Sequence, residues 1–131
     1  MNLPTDHAPT DQGALEANVR FYEALEQGDL AAMIALWAHD DDVACAHPGR
    51  RPLQGWDGVR ASWEAIFGNG GNPQVIVTDE HLVRRGPVAW ITLTENLLSG
   101  GQAGAATALN LFVHTDDGWR MVGHHAAPVL L

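Results

Sequence analysis

The feature that most constrains the fold is a change of apolar periodicity at residues 68–73, where the chain reads GNGGNP. Before this breaker, apolar residues recur every three or four positions, which is typical of amphipathic helices. After it, four runs rich in β-branched and aromatic residues are separated by short turn sequences. Such short links join antiparallel neighbours, because a parallel crossover needs a dozen or more residues. Helices first and strands afterwards predict an α+β domain.

Three helices are predicted before the breaker. Gly28 separates the first two, because glycine takes the left-handed cap conformation without steric cost, and Asp29 can cap the second. A twisted sheet wrapped around three helices forms a cone, and its open end is expected to be an apolar pocket. The apolar positions that define the helices are Leu15, Val19, Tyr22 and Leu25, then Leu30, Met33, Ile34 and Trp37, and finally Trp56, Val59, Trp63, Ile66 and Phe67.

The four strands are predicted at residues 74–85, 87–98, 103–115 and 119–126. Residues 1–12 lack periodicity and are rich in Pro, Thr and Asp, so we expect a flexible arm there, followed by one domain over residues 13–131.

The composition of the chain argues against several classes of function. The chain has a net charge of −9 and no lysine, so we expect no nucleic-acid partner. Its two serines lie outside any G-x-S-x-G motif, which argues against a serine hydrolase. No apolar run reaches the roughly 18 residues of a membrane span, and the first residues lack the pattern of a signal peptide. We therefore expect a cytoplasmic protein without membrane contact.

Three segments carry a resemblance to a known family. They are FYEALEQGDLAAMIALWAHDDDVACAHPG at 21–49, GWDGVRASWEAIF at 55–67 and TDDGWRMVGHHAAP at 115–128. In this order and spacing they resemble SnoaL-like and ketosteroid-isomerase-like proteins of the NTF2-like superfamily. The resemblance implies a cone of three N-terminal helices packed on a strongly curved antiparallel sheet. It also implies a cofactor-independent isomerase, cyclase or related lyase that transfers a proton on a small apolar carbonyl compound. The alternative is a non-catalytic ligand-binding or dimerisation module.

The catalytic positions of ketosteroid isomerase can be carried over one by one. Its helix-one Tyr falls on Phe21, with Tyr22 one step away, its Asp base falls on or next to His47, and its late-strand Asp falls on Asn110. Because all three residue types differ, the resemblance does not extend to steroid isomerisation. The resemblance is still consistent with a different proton-transfer reaction, in which His47 is the base and Asn110 donates a hydrogen bond to a developing oxyanion.

Two adjacent histidines near the C-terminus point to opposite faces of a strand. The set that contains His125 also contains Trp119 and Met121 and is the more apolar, so we expect His125 to face the pocket and His124 to face outward. His47, Asn110 and His125 are thus the predicted catalytic residues. No metal site is predicted, because the chain has no H-x-x-x-H spacing and no pair of cysteines.

The predicted pocket wall is aromatic. The phase of the strand at 87–98 stays open: either Glu95 faces inward together with Ile91 and Leu93, or Trp90 does. The other sheet face also carries Leu, Ile and Val, so we expect a homodimer through it. The candidate substrate-binding residues are Phe21, Tyr22, Trp37, Trp56, Trp63, Trp90 and Phe112.

Overall fold

A computed structural model describes residues 8–130. Three helices and six strands follow one another along the chain. They are α1 (Asp11–Gln27), α2 (Leu30–Leu36), β1 (Ala44–Ala46), β2 (Leu53–Gln54), α3 (Trp56–Gly68), β3 (Gln74–Arg85), β4 (Val88–Ser99), β5 (Gln102–Thr115) and β6 (Gly118–Pro128).

The first two helices begin and end where the sequence supplies caps. Thr10 Oγ1 accepts a hydrogen bond from the backbone N–H of Gly13, which starts α1 at Asp11, inside the segment predicted as an arm. Residues 1–7 of that predicted arm lie outside the described residues. Gly28 ends α1 in the left-handed conformation at φ 63°, and the Asp29 carboxylate caps α2 by accepting from the N–H of Ala32.

The six strands form one open sheet in the order β2-β1-β6-β5-β4-β3. The four long strands pair antiparallel through short turns, as predicted. The sheet as a whole is mixed rather than purely antiparallel, because the three-residue β1 pairs parallel with β6. The prediction of antiparallel pairing applies to strands that are joined by short links. It does not apply to β1 and β6, because most of the domain lies between them in the sequence.

The core lies between the helices and one face of this sheet. Phe21 of α1, Trp63 of α3 and Phe112 of β5 are fully or almost fully buried there. On β5 the predicted alternation is confirmed, because Ala106, Ala108, Asn110 and Phe112 all face the helices. On β4 the buried set is Ala89, Ile91, Leu93 and Glu95, which settles the open phase in favour of an inward Glu95.

Two β-bulges shift the inward and outward alternation of the long strands. In β6, Gly123 pairs with Leu111 and Met121 pairs with Phe112, so Val122 is an extra residue. Beyond it the phase inverts, and His124 is buried while His125 lies exposed on the outer face. The prediction that His125 faces inward is therefore wrong, because strict alternation does not survive a bulge.

No helix among residues 8–130 combines the length and apolar character needed to cross a membrane.

Candidate active site

A buried hydrogen-bond network centres on Asn110, which is completely shielded from solvent. Its Nδ2 donates to Asn18 Oδ1 at 2.9 Å and to the Tyr22 hydroxyl at 3.0 Å. Its Oδ1 lies 2.6 Å from His124 Nδ1, and since an amide oxygen only accepts, His124 carries its hydrogen on Nδ1. Both amide hydrogens of Asn110 are therefore committed inside the protein and are not free for a bound carbonyl.

Two carboxylates end the network. The Tyr22 hydroxyl donates to Glu95 Oε2 at 2.7 Å, and Asn18 Nδ2 donates to Glu80 Oε2 at 2.9 Å. Glu80 reaches Asn18 at the second bulge, where β3 loses register with β4 between Thr78 and His81. Asp79 adopts φ 57° there, a conformation uncommon for residues other than glycine. The bulge thus directs the Glu80 side chain from the edge strand to Asn18 in the middle of α1.

Burial controls protonation in the network. Burial, together with the smaller effects of His47 and His125, lowers the pKa of His124 to about 3, so this imidazole is neutral at pH 7. It raises the pKa of the Tyr22 hydroxyl, which the nearby Glu95 raises further. It also raises the pKa of Glu95, although the hydrogen bond from Tyr22 acts in the opposite direction.

His47 follows β1, and its side chain contacts α3. Its Nε2 lies 2.9 Å from Ser62 Oγ, and Ser62 donates its single hydroxyl hydrogen to the Val59 carbonyl at 2.6 Å. Both contacts are hydrogen bonds when His47 carries its hydrogen on Nε2, which leaves the Nδ1 lone pair as the basic atom. Burial lowers the pKa of His47, and the positive charge of Arg50 lowers it further, so the ring is neutral at pH 7.

His47 and His124 both pack beside Trp63 in one aromatic cluster. The rings of Trp63 and His47 form a T-shaped pair, with 4.7 Å between centroids and 89° between planes. His124 packs on Phe21 at 4.7 Å, and its ring centroid is 6.4 Å from that of His47. The buried network and His47 therefore share one packed wall.

A cleft of about 570 Å³ opens beside His47 between α3 and the segment that links β1 to β2. A volume of this size suits a small organic molecule. Its wall is apolar along α3 and cationic along the linking segment. The lining residues of this His47 cleft are His47, Arg50, Arg51, Leu53, Gly58, Ala61, Ser62, Ala65, Ile66 and Asn69.

Cys45 lies next to His47 but is not a nucleophile at neutral pH. Its Sγ is 3.6 Å from His47 Nε2, and burial raises the pKa of the thiol to about 12. The reactive form of cysteine is the thiolate, which burial suppresses here. No cluster of three or more His, Cys, Asp or Glu residues suited to a metal ion occurs in the part of the chain that the structure describes.

Comparison with known proteins places this site in a family. The family model of the SnoaL-like domain matches residues 14–130. The chain belongs to the SnoaL-like family. A protein of the NTF2-like family from Streptomyces avermitilis, named as a candidate dehydratase, is 37% identical with a TM-score of 0.86, over 97% of this chain and 98% of that one.

Other relatives of this SnoaL-like domain have different names. A protein from Thiobacillus denitrificans, named as a candidate association domain of calcium/calmodulin-dependent protein kinase type II, is 38% identical with a TM-score of 0.82, over 93% of this chain and 97% of that one. F-box protein SKIP8 of Arabidopsis thaliana is 27% identical over 96% of this chain, which spans about half (54%) of that protein.

The SnoaL-like domain brings together only part of the predicted site. His47 lines the cleft, whereas Asn110 lies in the buried network and His125 lies on the outer face. Among the predicted substrate-binding residues, Trp90 also lies on the outer face, because its neighbours Ala89 and Ile91 point inward. Trp56 is half-buried and stacks on His39. The other five are core residues: Phe21, Tyr22, Trp37, Trp63 and Phe112.

Sequence reasoning missed several residues of this site. Ser62 could have been found from its place one residue before Trp63 on the predicted third helix. His124 could not be placed without knowledge of the bulge at Val122. Asn18 and Glu80 gave no signal, because a single polar residue in an amphipathic helix or on an edge strand is ordinary.

Proposed function

We propose that this SnoaL-like domain binds a small, mostly apolar carbonyl compound in the His47 cleft and transfers a proton on it, as an isomerase, a cyclase or a related lyase. The observation that carries the proposal is the placement of His47. This neutral imidazole lines a cleft large enough for such a molecule, and Ser62 Oγ orients it at 2.9 Å. A base that is unprotonated at neutral pH and fixed by a second group meets the requirement for general base catalysis.

The reaction begins with loss of a proton from the carbon next to the carbonyl group. His47 Nδ1 accepts this proton, while the hydrogen on Nε2 keeps the ring anchored to Ser62. The electron pair moves onto the carbonyl oxygen and gives an enolate, which is then reprotonated at another position or expels a leaving group. The buried network around Asn110 supports the aromatic wall behind His47 and does not contact the substrate.

The relatives support a reaction of this kind. The 37% identical Streptomyces protein is named as a candidate dehydratase. Dehydration next to a carbonyl also starts with abstraction of a proton from the adjacent carbon, so the same base would serve both reactions.

Solvent deuterium exchange tests the proposal without knowledge of the true substrate. A panel of cyclic and aryl ketones in D₂O is followed by proton NMR for loss of the signal next to the carbonyl. We expect the wild-type protein to accelerate exchange for at least one ketone. The variant His47→Gln should lose about 10²-fold or more of that acceleration, which is the usual contribution of a general base.

His81→Gln is the matched control, because His81 is an exposed histidine on β3. It should exchange like the wild type. Equal exchange by the wild type and a folded His47→Gln variant would contradict the assignment of the base.

A second candidate function is a non-catalytic association module that forms a homodimer through the outer sheet face. The observation that favours it is the set of apolar side chains on that face: Ile76 is 60% and Leu98 48% exposed near one end of the sheet, and Leu109 and Val88, farther along, are each 37% exposed. Apolar side chains exposed on one sheet face favour burial against a second copy. The 38% identical protein from Thiobacillus denitrificans, named as a candidate association domain, supports an association role. The two functions are compatible, since the His47 cleft does not include these four residues.

A further inference from the structure

The His47 cleft has an unusual charge for this protein. The chain carries a net charge of −9, yet both charged residues that line the cleft are arginines, Arg50 and Arg51. Within residues 8–130, neither guanidinium forms an ion pair with a carboxylate, whereas Arg60 and Arg84 are paired elsewhere. The cleft is therefore a cationic site on an acidic protein.

A tight turn fixes these arginines next to the proposed base. The backbone N–H of Arg50 donates to the His47 carbonyl at 2.9 Å, which closes the turn His47-Pro48-Gly49-Arg50. Gly49 adopts φ 75°, as the third residue of a type II turn must, and proline is favoured before it. The turn holds Arg50 close enough to His47 for its charge to lower the pKa of the imidazole.

The opposite wall of the cleft is apolar. Ala61, Ala65 and Ile66 of α3, together with Leu53 of β2, offer aliphatic contacts. A molecule that fills this cleft is thus expected to have an apolar body and an anionic end. Guanidinium groups bind planar carboxylates with paired, charge-assisted hydrogen bonds.

We propose that the substrate of the His47 cleft is a small carboxylic acid, whose carboxylate is bound by Arg50 and Arg51 and whose apolar body lies on α3. This inference rests on the proposed function for the location of the site. It adds the substrate class: a keto acid or other carbonyl compound that bears a carboxylate. A fixed anionic end also orients the carbonyl group toward His47, which a purely apolar pocket would not do.

The test compares two probes that differ in charge, 4-phenylbutanoate and its neutral amide 4-phenylbutanamide. Binding is measured by titration, with the His47 ring signals followed by NMR. We expect the acid to bind at least about tenfold more tightly than the amide, a difference of one charge-assisted contact. Raising the salt from about 0.05 M to 0.5 M should weaken binding of the acid only, since salt screens exposed charges.

Variants locate the contact. Arg50→Gln and Arg51→Gln should each weaken binding of the acid by about tenfold and leave the amide unchanged. Arg85→Gln, which alters an exposed arginine at the end of β3, is the matched control and should bind both probes like the wild type. Equal affinity for acid and amide, absence of binding by the acid, or full affinity in both cleft variants would overturn the inference.

The outcome separates this inference from the proposed function. If the acid binds through the arginines but His47→Gln leaves ketone exchange unchanged, the anionic site stands and the catalytic proposal fails. If His47 drives exchange of ketones while acid and amide bind equally, the catalytic proposal stands and the substrate class is wrong.

Discussion

At the scale of single residues, Asn110 shows what the sequence can and cannot reveal. An amide among Ala, Leu and Phe on a predicted strand signals a buried polar group that needs partners, and this was correct. The identity of those partners was out of reach, because Asn18 and Tyr22 lie 92 and 88 residues away along the chain. The sequence predicted a catalytic role for Asn110, whereas in the structure its side chain is buried in the core.

Because the hydrogen-bond network centres on Asn110, replacement of this residue should destabilise the fold. Asn110→Ala leaves Asn18 Oδ1 and the Nδ1–H of His124 unpaired and removes one of the two hydrogen bonds of the Tyr22 hydroxyl, so we expect the free energy of unfolding to fall by about 2–4 kcal/mol. Urea unfolding measures this change. Asn96→Ala removes exposed hydrogen bonds to Ile76 and Thr78 and should cost less than about 1 kcal/mol. Similar losses in the two variants would contradict the network.

His124 makes stability depend on pH. Its folded pKa of about 3 lies below its ordinary 6.5, so the unfolded chain binds a proton first as the pH falls. The stabilisation is complete above pH 6.5 and is lost progressively between pH 6.5 and pH 3. From pH 7 to pH 5 this residue alone should remove about 2 kcal/mol from the free energy of unfolding.

The comparison with His124→Gln isolates that contribution, because Glu95, with its raised pKa, titrates in both proteins. The variant should lose less stability than the wild type between pH 7 and pH 5. Parallel losses in the two proteins would show that His124 is not the buried neutral histidine described here.

At the scale of elements, the four long strands and three helices were predictable because turn chemistry and apolar spacing mark their ends. The bulges were not. Val122 in β6 and the Asp79–Glu80 step in β3 carry no residue that demands a bulge, yet they decide which side chains face inward. His124 and His125 therefore lie on the faces opposite to those predicted. The orientation of Trp90 is not predictable, because periodicity alone does not fix the phase of a strand with apolar residues on both faces.

The β3 bulge gives a test at this scale. Asp79 has φ 57°, which costs a β-branched residue about 1–2 kcal/mol and costs glycine nothing. Both Asp79→Val and Asp79→Gly lose the hydrogen bond from Thr94, so their difference isolates the backbone term. We expect Asp79→Val to be the less stable by about that amount in urea unfolding. Equal stability would mean that the bulge relaxes when Asp79 is replaced.

At the scale of the whole molecule, the order of periodicities was sufficient for the α+β fold class, and the resemblance of three segments was sufficient for the family. The parallel pairing of β1 with β6 was not predictable, because three residues carry too little pattern to choose a partner. The outer sheet face was correctly expected to carry Leu, Ile and Val side chains, and its pairing with a second copy is a prediction.

Light scattering at micromolar concentration tests that pairing. We expect the wild type to have the mass of a dimer and Leu109→Arg, which places a charge in the middle of the outer face, to be a monomer. Val19→Arg alters an exposed apolar residue on α1, away from the outer sheet face, and should remain a dimer. A monomeric wild type would contradict the outer-face interface.

The state of His47 is the point on which the proposed chemistry depends, and NMR of the histidine ring nitrogens reads it directly. We predict that the pKa of His47 lies below 6.5, that its neutral form carries hydrogen on Nε2, and that its signals shift when a ligand enters the cleft. A His47 that titrates at or above 6.5, with hydrogen on Nδ1 and no response to any ligand, would contradict this prediction.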